Sequence, residues 1–342
     1  MDWGLGHATR CVPVIRECIK QGFFVFLAGE KAVAALLKEE FPELQILPLK
    51  GYRVRYGKGR RSFFGKILLQ TPKILQCIRE EKKWVEEMIA VHRIDIVISD
   101  NRFGLYSKNA HCIFITHQLF IKTGNSFTEK IAQKINYRYI DRFDECWVPD
   151  NAGNENLAGE LSHPKKSPKV PVKYIGILSR FIKMEKEKQY DIVAVISGPE
   201  PQRSIFEKDL IQQLRKLNLN SVLVRGLPGN NSDSASEIKI IDHLPASALN
   251  ELLASSHTII TRSGYSTLMD LVAMGRSAVL VPTPGQTEQE YLAEYLSEKD
   301  LFISVNQEDL DVEGLMEKAE SFPYAKFPKT TEGLSAAVKS LL

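Results

Sequence analysis

The sequence predicts an α/β protein of two domains of similar size, each built on a parallel sheet, facing one another across a cleft. Three observations predict it. Short apolar runs bounded by glycine or polar residues alternate with segments of helical spacing, the pattern of strand–crossover–strand units. That alternation is interrupted by a Pro- and Lys-rich stretch, S-H-P-K-K-S-P-K-V-P, and then restarts. A chain of 342 residues is also too long for one ordinary core and comfortable for two.

Taken in order, Gly22–Gly29 (G-F-F-V-F-L-A-G) reads as a strand buried on both faces. Lys31–Phe41 has helical spacing, Leu44–Leu49 is the next strand, and Thr71–Val91 is a long helix with Ile74, Leu75, Ile78, Val85 and Ile89 as its apolar positions. Ile94–Ser99, Cys112–Thr116 and Glu145–Pro149 supply further strands, and Gly153–Lys173 reads as an exposed connector. Beyond it, Asp191–Ser197, Ser221–Arg225, Ile238–Ile241, Thr258–Thr261 and Ala278–Val281 are strands, Arg203–Leu217 is a helix and Leu227–Ser236 a polar loop. The expected division is an N-terminal domain over 1–165, a C-terminal domain over 166–325, and a final helix over 326–342 that packs back on the first domain. One large α/β domain with a surface insertion is the competing architecture. A βαβ unit should open with a strand, yet only Met1–Trp3 precedes the first glycine loop, so that strand is either very short or lies upstream.

Composition narrows the function. A formal charge of +3 is too weak to make nucleic acid the partner of the whole molecule, and 44% hydrophobic with 25% charged residues excludes general disorder. Five widely spaced cysteines, with no C-x-x-C pair, fit a reduced cytosolic compartment better than a disulfide framework or a zinc site. No signal peptide is visible, and the apolar runs fall far short of the roughly 20 residues that cross a bilayer. The expected location is the cytoplasm, with peripheral contact to the inner face of the membrane left open.

Four strand-to-helix transitions carry candidate chemistry. Gly4-Leu5-Gly6-His7-Ala8-Thr9-Arg10 runs into the helical stretch Cys11–Lys20; its glycines permit a close backbone approach, and the helix start favours an anion. A lone histidine is more often structural than catalytic, but His7 beside Gly4, Gly6 and Arg10 is placed to take a proton from a hydroxyl. Thr9 replaces the third glycine of a dinucleotide fingerprint, which disfavours an NAD enzyme. In Thr261–Asp270, Ser263, Gly264, Ser266 and Thr267 suit phosphate oxygens at a helix start, and Asp270 suits a ribose diol; a capped helix with a solvated aspartate explains the run as well. Ser197, Gly198 and Arg203 follow another strand and suit phosphate, or form an ordinary surface turn. Gln289 and Glu290, after Pro282-Thr283-Pro284-Gly285-Gln286, offer acceptors to sugar hydroxyls. Several such loops in one half are what an open parallel sheet needs beyond the carboxyl ends of its strands.

Other features are less specific. The backbone around His243 and Leu244, in D-H-L-P, suits the edge of a nucleobase, although His243 is equally at home on the surface. Asp309-Leu310-Asp311 has the form of a D-x-D metal motif but lies in a charged, solvated segment, so no metal is assigned. Lys50–Lys66 holds seven basic residues, no acidic ones, and Tyr52, Tyr56, Phe63 and Phe64. It is either a solvated loop or a contact to an anionic membrane surface or a phosphate-bearing acceptor.

The run T-R-S-G-Y-S-T-L-M-D-L-V-A-M-G-R-S-A-V-L-V-P-T-P-G-Q-T-E-Q-E-Y, with the opening G-L-G-H-A-T-R, resembles the GT-B glycosyltransferases of the MurG-like group, glycosyltransferase family 28. The resemblance covers most of the second half and, in the first, that loop and the general layout. It implies two Rossmann-like domains in GT-B arrangement and a hexosyltransferase whose second domain holds a UDP-sugar donor, while the first takes an acceptor such as a lipid or polysaccharide precursor. It implies Ser263 and Gly264 at the diphosphate, Asp270 at the ribose, Gln289 and Glu290 near the sugar, Ser197 and Gly198 in the first donor-side loop, and His243 and Leu244 at the uracil. His7 takes the place of the cleft histidine, and no tightly bound cofactor or metal is implied. The chain departs from the group in carrying Asp270 for a glutamate, Gln289-Glu290 for two glutamines, Ala278 for a proline, and fewer glycines in the opening loop. The donor sugar and the acceptor are therefore not fixed by the resemblance. A UDP-sugar hydrolase or epimerase of the same fold, and a non-catalytic sugar-nucleotide-binding regulator, are the competing functions.

Overall fold

The computed structural model describes residues 5–52, 60–198, 200–227, 238–328 and 333–342, with side chains for all of these except residue 5 and residues 60–69. The chain divides into two compact units; the second takes 179–328, and the first takes the described residues up to 178, apart from 60–63, together with the C-terminal 333–342.

The first unit opens with α1 (Leu5–Lys20). The helix starts well before the expected Cys11, so Leu5–Arg10 of the expected glycine loop form its first turns, and Gly4 lies outside the described residues. β1 (Leu27–Gly29) and β2 (Ile46–Pro48) pair in parallel, joined by α2 (Lys31–Glu40). Ala8, Val12 and Ile15 of α1 pack with Leu36 and Leu37 of α2 and Leu27 of β1, which fixes the inward face of α1. The strand expected over Gly22–Gly29 is reduced to its last three residues, because β2 offers ladder partners only at Ile46–Pro48. Phe24 is 89% exposed as a result.

After α3 (Arg60–His92), β3 (Ile96–Asp100), β4 (His111–Ile115), β5 (Glu145–Val148) and β6 (Val172–Tyr174) form a parallel sheet in that order, with α4 (Ser126–Ile140) crossing between β4 and β5. The segment read as an exposed connector is largely built into this unit. Asp150 accepts from the amides of Asn151 and Leu157 at 2.8 Å, from Ala158 N at 2.9 Å and from the Ser162 hydroxyl at 2.7 Å. One buried carboxylate thus satisfies donors that polar composition suggested were solvated, and Leu157 and Leu161 are buried around it. With β6 in the sheet, the first unit runs to 178 rather than to the expected 165.

The second unit is one six-stranded parallel sheet. β7 (Tyr190–Val195), α5 (Gln202–Leu214), β8 (Ser221–Val224), β9 (Lys239–Ile241), α6 (Ala246–Ala254), β10 (Ser256–Thr261), α7 (Tyr265–Met274), β11 (Val279–Leu280), α8 (Thr287–Glu298), β12 (Ile303–Ser304) and α9 (Val312–Ser321) follow in sequence. The spatial order is β12-β11-β10-β7-β8-β9. The chain winds outward from β7 to β9, returns to β10 on the other side, and winds outward again, so the topological switch point lies between β7 and β10. Apolar residues of one sheet face and the helices over it close a continuous core through Ile192, Ala194, Leu223, Ile260 and Val279, with Phe206 and Leu210 from α5. Gly275 ends α7 at φ +64°, a left-handed cap that a side chain would strain. Finally α10 (Gly333–Lys339) rejoins the first unit, where Ser335 Oγ donates to Glu17 on α1 at 2.7 Å and Lys173 of β6 donates to Ser340 at 3.1 Å.

Candidate functional site

In the first unit the early start of α1 matters chemically. His7 and Arg10, three residues apart in its first turns, share a face. Both meet Asp100, which ends β3: His7 Nδ1 lies 3.1 Å from Oδ2, and Arg10 Nε donates to Oδ1 at 3.0 Å and Oδ2 at 3.1 Å, with Arg10 Nη2 closing on Oδ1 as well. Arg10 Nη1 contacts Nδ1 of His117, just past β4, at 3.0 Å. Cys11 Sγ is 3.6 Å from Asp100. Burial pushes the Asp100 carboxyl upward, but the Arg10 charge and the His7 contacts overcome this and hold it well below the usual carboxylate range. Burial, then the Arg10 charge, lowers His7 to about 4 against the opposing pull of Asp100, so the imidazole is neutral at pH 7. Burial, with Asp100 beside it, raises the Cys11 thiol well above its ordinary value, so it stays a thiol.

Nδ1 of His7 faces two partners, since Arg10 Nη2 also stands 2.9 Å away. With the proton on Nδ1, His7 donates to Asp100 and its Nε2 carries a lone pair; with Nδ1 bare, it accepts from Arg10 and Nε2 is protonated. The first state is a base held by a carboxylate. Gly6, expected to let a ligand approach, lies in the first turn of α1, where its carbonyl accepts from Thr9 Oγ1 at 2.9 Å. Asp100 and His117 were not singled out in the sequence.

The second unit brings the expected donor residues to one edge of its sheet, at the carboxyl ends of β7, β10 and β11. Ser197 and Gly198 leave β7, and Gly198 sits at φ +110°, where a side chain is strained. A Cβ there would meet Thr283 Oγ1 at 3.9 Å, which places the β7 and β11 exits side by side. Thr283 Oγ1 is buried and has no hydrogen-bond partner among the described residues, a polar atom suited to a ligand oxygen. From β10, Ser263 is buried and its hydroxyl donates to the Gln289 carbonyl at 2.8 Å, so it ties α8 to the start of α7. Gly264 is the N-cap of α7 and supplies no side-chain cap. Ser266 and Thr267 stand half-buried in the first turn of that helix, at the positive end of its dipole.

Asp270 lies further along α7 and accepts a 2.5 Å hydrogen bond from Ser179. Burial raises its carboxyl to about 7, against the lowering effects of Ser179 and Arg180. It therefore changes charge near neutrality. Arg203, expected to meet phosphate, is engaged by Glu200 at 2.7 Å and Glu207 at 2.8 Å; Glu207 reaches on to Arg225, and Arg225 to Asp242. Gln289 and Glu290 turn back on their own loop, where Gln289 Oε1 accepts from Thr283 N at 2.9 Å and Glu290 Oε1 from Gly285 N at 2.8 Å. Both therefore shape the β11 exit. His243 and Leu244 follow β9, half-buried, two strands from β7.

Arg262, between β10 and Ser263, holds these loops together. It is fully buried and donates to the carbonyls of Val281 (3.0 Å), Pro282 (3.1 Å) and Gln202 (3.2 Å) and to Gln307 Oε1 (2.7 Å), with its guanidinium 3.9 Å from the centre of the Phe206 ring. One planar fork thus binds the exits of β10 and β11 to the start of α5. Burial lowers its pKa to about 9, against the charge of Asp209.

Tyr52, read as one of the aromatics able to touch a membrane, is buried and donates to Glu81 at 2.6 Å; Glu81 also accepts from Arg102 and from Gly104 N. Its place in a closed polar network removes it from that surface. Lys50 is exposed, and the side chains of 53–66, the remainder of the basic patch, lie outside the described residues. Asp309 and Asp311 are exposed with Leu310 buried between them. Among the described residues no cluster of His, Cys, Asp and Glu is placed to hold a metal ion, and no helix is long and apolar enough to cross a membrane.

The chain is similar to known glycosyltransferases in sequence and in fold. The family model for the glycosyltransferase family 28 C-terminal domain matches residues 187–331. A UDP-N-acetylglucosamine–N-acetylmuramyl-(pentapeptide) pyrophosphoryl-undecaprenol N-acetylglucosamine transferase of Haemophilus influenzae is 25% identical over 329 residues, covering 91% of this chain and 85% of its own. An uncharacterised glycosyltransferase of Methanosarcina acetivorans is 23% identical, over 86% of this chain and 81% of its own. Among solved structures, the glycosyltransferase SnogD of Streptomyces nogalater aligns with a TM-score of 0.60 at 15% identity, over 99% of this chain and 96% of that one. MurG of Acinetobacter baumannii aligns with a TM-score of 0.52 at 13% identity, over 98% and 90%.

Proposed function

Since the chain is a nucleotide-sugar-dependent glycosyltransferase of GT-B fold related to glycosyltransferase family 28, we propose that it moves a sugar from a UDP-sugar to a hydroxyl of a lipid-linked or polysaccharide acceptor. The second unit holds the donor. The diphosphate lies against Ser197–Gly198, Thr283 and the start of α7, where backbone and hydroxyl donors and the helix dipole meet its charge. Ionised Asp270 accepts from the ribose diol, and the backbone at His243–Leu244 takes the base. The observation that supports this reading is the gathering of Ser197–Gly198, the start of α7 and the unpartnered Thr283 hydroxyl beyond the carboxyl ends of β7, β10 and β11, beside the switch point of a doubly wound sheet.

In the transfer step the acceptor O–H gives its proton to Nε2 of His7, whose Nδ1–H is held by Asp100. The acceptor oxygen bonds to the anomeric carbon as the bond from that carbon to the diphosphate oxygen breaks. The departing charge is taken up by the α7 helix start, without a bound metal. A single displacement inverts the anomeric centre. The test is UDP release from a panel of UDP-sugars, with and without lipid extract. Lipid-dependent release supports transfer, release in water alone converts the reading to hydrolysis, and binding without release makes the chain a sugar-nucleotide sensor.

A further inference from the structure

Two stretches of chain meet at Asp270. On α7 it follows Ser266 and Thr267 by four and three residues, so it shares their face of the helix. Against it stands Ser179, where the chain passes from the first unit at Leu178 into the second. The Ser179 hydroxyl accepts from Phe181 N at 3.0 Å and donates to Asp270 Oδ1 at 2.5 Å. With one lone pair taken by the amide, its proton is left for the carboxylate. The residues that follow are seated on the second unit by other contacts. Phe181 is buried, the Ile182 carbonyl accepts from Asn250 of α6 at 3.2 Å, and a Cβ on Gly275 would meet the Lys183 stem at 3.7 Å. Asp270 Oδ2 makes no hydrogen bond among the described residues. Its two lone-pair directions suffice for the two hydroxyls of a vicinal diol.

We propose that Ser179 is a positioning residue for the donor ribose: it fixes the Asp270 carboxylate through one oxygen and leaves the other to receive the diol. The inference rests on the reading above, which puts the ribose at Asp270, and adds how that aspartate is made fit to receive it. A protonated carboxyl has a proton of its own to place and fewer acceptor directions, so it receives a diol poorly. Burial favours that form; the Ser179 hydrogen bond opposes it, and the Arg180 charge adds to the opposition. Among the described residues Arg180 is the charged group whose field reaches Asp270. The segment by which the chain enters the second unit thereby becomes part of the donor site.

The experiment is calorimetric binding of UDP to the full chain from pH 6 to 9, for wild type, Ser179→Ala, Ser179→Thr and Ser179→Cys. The ligand's own phosphate titration is common to all four and cancels in the comparison. Loss of one hydrogen bond to a charged group moves a carboxyl by about one pH unit. Ser179→Ala should therefore bind UDP roughly tenfold more weakly than wild type at pH 6, and within about threefold at pH 9, where Asp270 is ionised in both. Ser179→Thr keeps the hydroxyl and should restore the wild-type profile. Ser179→Cys, a weaker donor of similar size, should move it part of the way and serves if the alanine variant does not fold. 2′,3′-Dideoxy-UDP lacks the diol, so its weaker binding should be the same for every variant. A wild-type pH profile in Ser179→Ala and Ser179→Cys would overturn the proposal. So would a loss that is equal at every pH and shared by the dideoxy ligand, which is what a merely structural serine would give. Wild type that binds no UDP at any pH sinks the donor reading itself, an outcome distinct from UDP binding that ignores Ser179.

Discussion

Asp270 gives the proposed donor site a pH signature that can be worked through. In an unfolded chain its carboxyl titrates near 4, and in the structure at about 7. The folded state therefore binds more protons across that interval, and stability must fall as pH rises from about 4 to about 7. Each unit of difference corresponds to about 1.4 kcal/mol, so a half-buried carboxyl shifted this far represents about 2–4 kcal/mol. Asp270→Asn keeps the acceptor for Ser179 and cannot ionise. His7 acts in the opposite sense. Its folded value of about 4 makes stability fall as pH drops from about 6.5 to about 4. Because His7 stands in the other unit and is common to both proteins, the difference between wild type and variant cancels it. Urea denaturation at intervals from pH 5 to 8 should show the variant gaining on the wild type as pH rises, by about 2–4 kcal/mol at pH 8. UDP affinity should do the reverse: wild-type binding strengthens as pH rises through about 7, and the variant is weak and flat. A variant no more stable than wild type at pH 8, or wild-type UDP binding indifferent to pH, would refute the argument.

Other consequences are more direct. Replacing His7 by alanine should lower kcat by about 10²- to 10⁴-fold and leave UDP affinity intact; turnover with a confirmed acceptor that does not change would remove the base. Asp100→Asn should also act on kcat rather than on donor KM, since it takes away the carboxylate that keeps Nδ1 protonated; a loss confined to KM would contradict a positioning role. Arg262→Met strands three carbonyls and the Gln307 amide oxygen, and should cost about 3–5 kcal/mol in the second unit, read by chemical denaturation. Arg262→Lys should recover only part of this, because a single ammonium cannot span acceptors arranged for a planar fork.

The strands of the second unit were legible because a strand covered on both faces writes an unbroken apolar run, and D-I-V-A-V-I-S starts one residue after the observed β7 and ends two beyond it. α4 was not legible, because Asn136 and Gln133 face inward beside Ile140 while Phe127, Ile131 and Ile135 are exposed, so its periodicity lacks the usual contrast. β6 was hidden because its three residues, V-K-Y, follow a Pro- and Lys-rich stretch and are held by their ladder with β5, not by an apolar run of their own. At the candidate site the glycine, serine and threonine positions could be read from strand-to-helix transitions. The use of Arg203, Gln289 and Glu290 as props for their own loops could not, since a polar side chain's partner is chosen by packing. Asp100 was out of reach altogether. It stands 90 residues from Arg10 and 93 from His7, and no local pattern marks an aspartate at a strand end as their shared partner.

The return of α10 to the first unit sets an order for synthesis. All six strands of the second unit lie within 179–328, so its sheet is complete as soon as that span has left the ribosome. The first unit, although most of it is made earlier, waits for residues 333–342 before Ser335 can reach Glu17 and Ser340 can reach Lys173. Vectorial folding is thus inverted: the part made second is finished first, and the nascent first unit keeps an uncovered seam along α1 and β6 throughout translation. In a cell that seam is where a chaperone would find this chain, and 179–328 is the fragment to express alone.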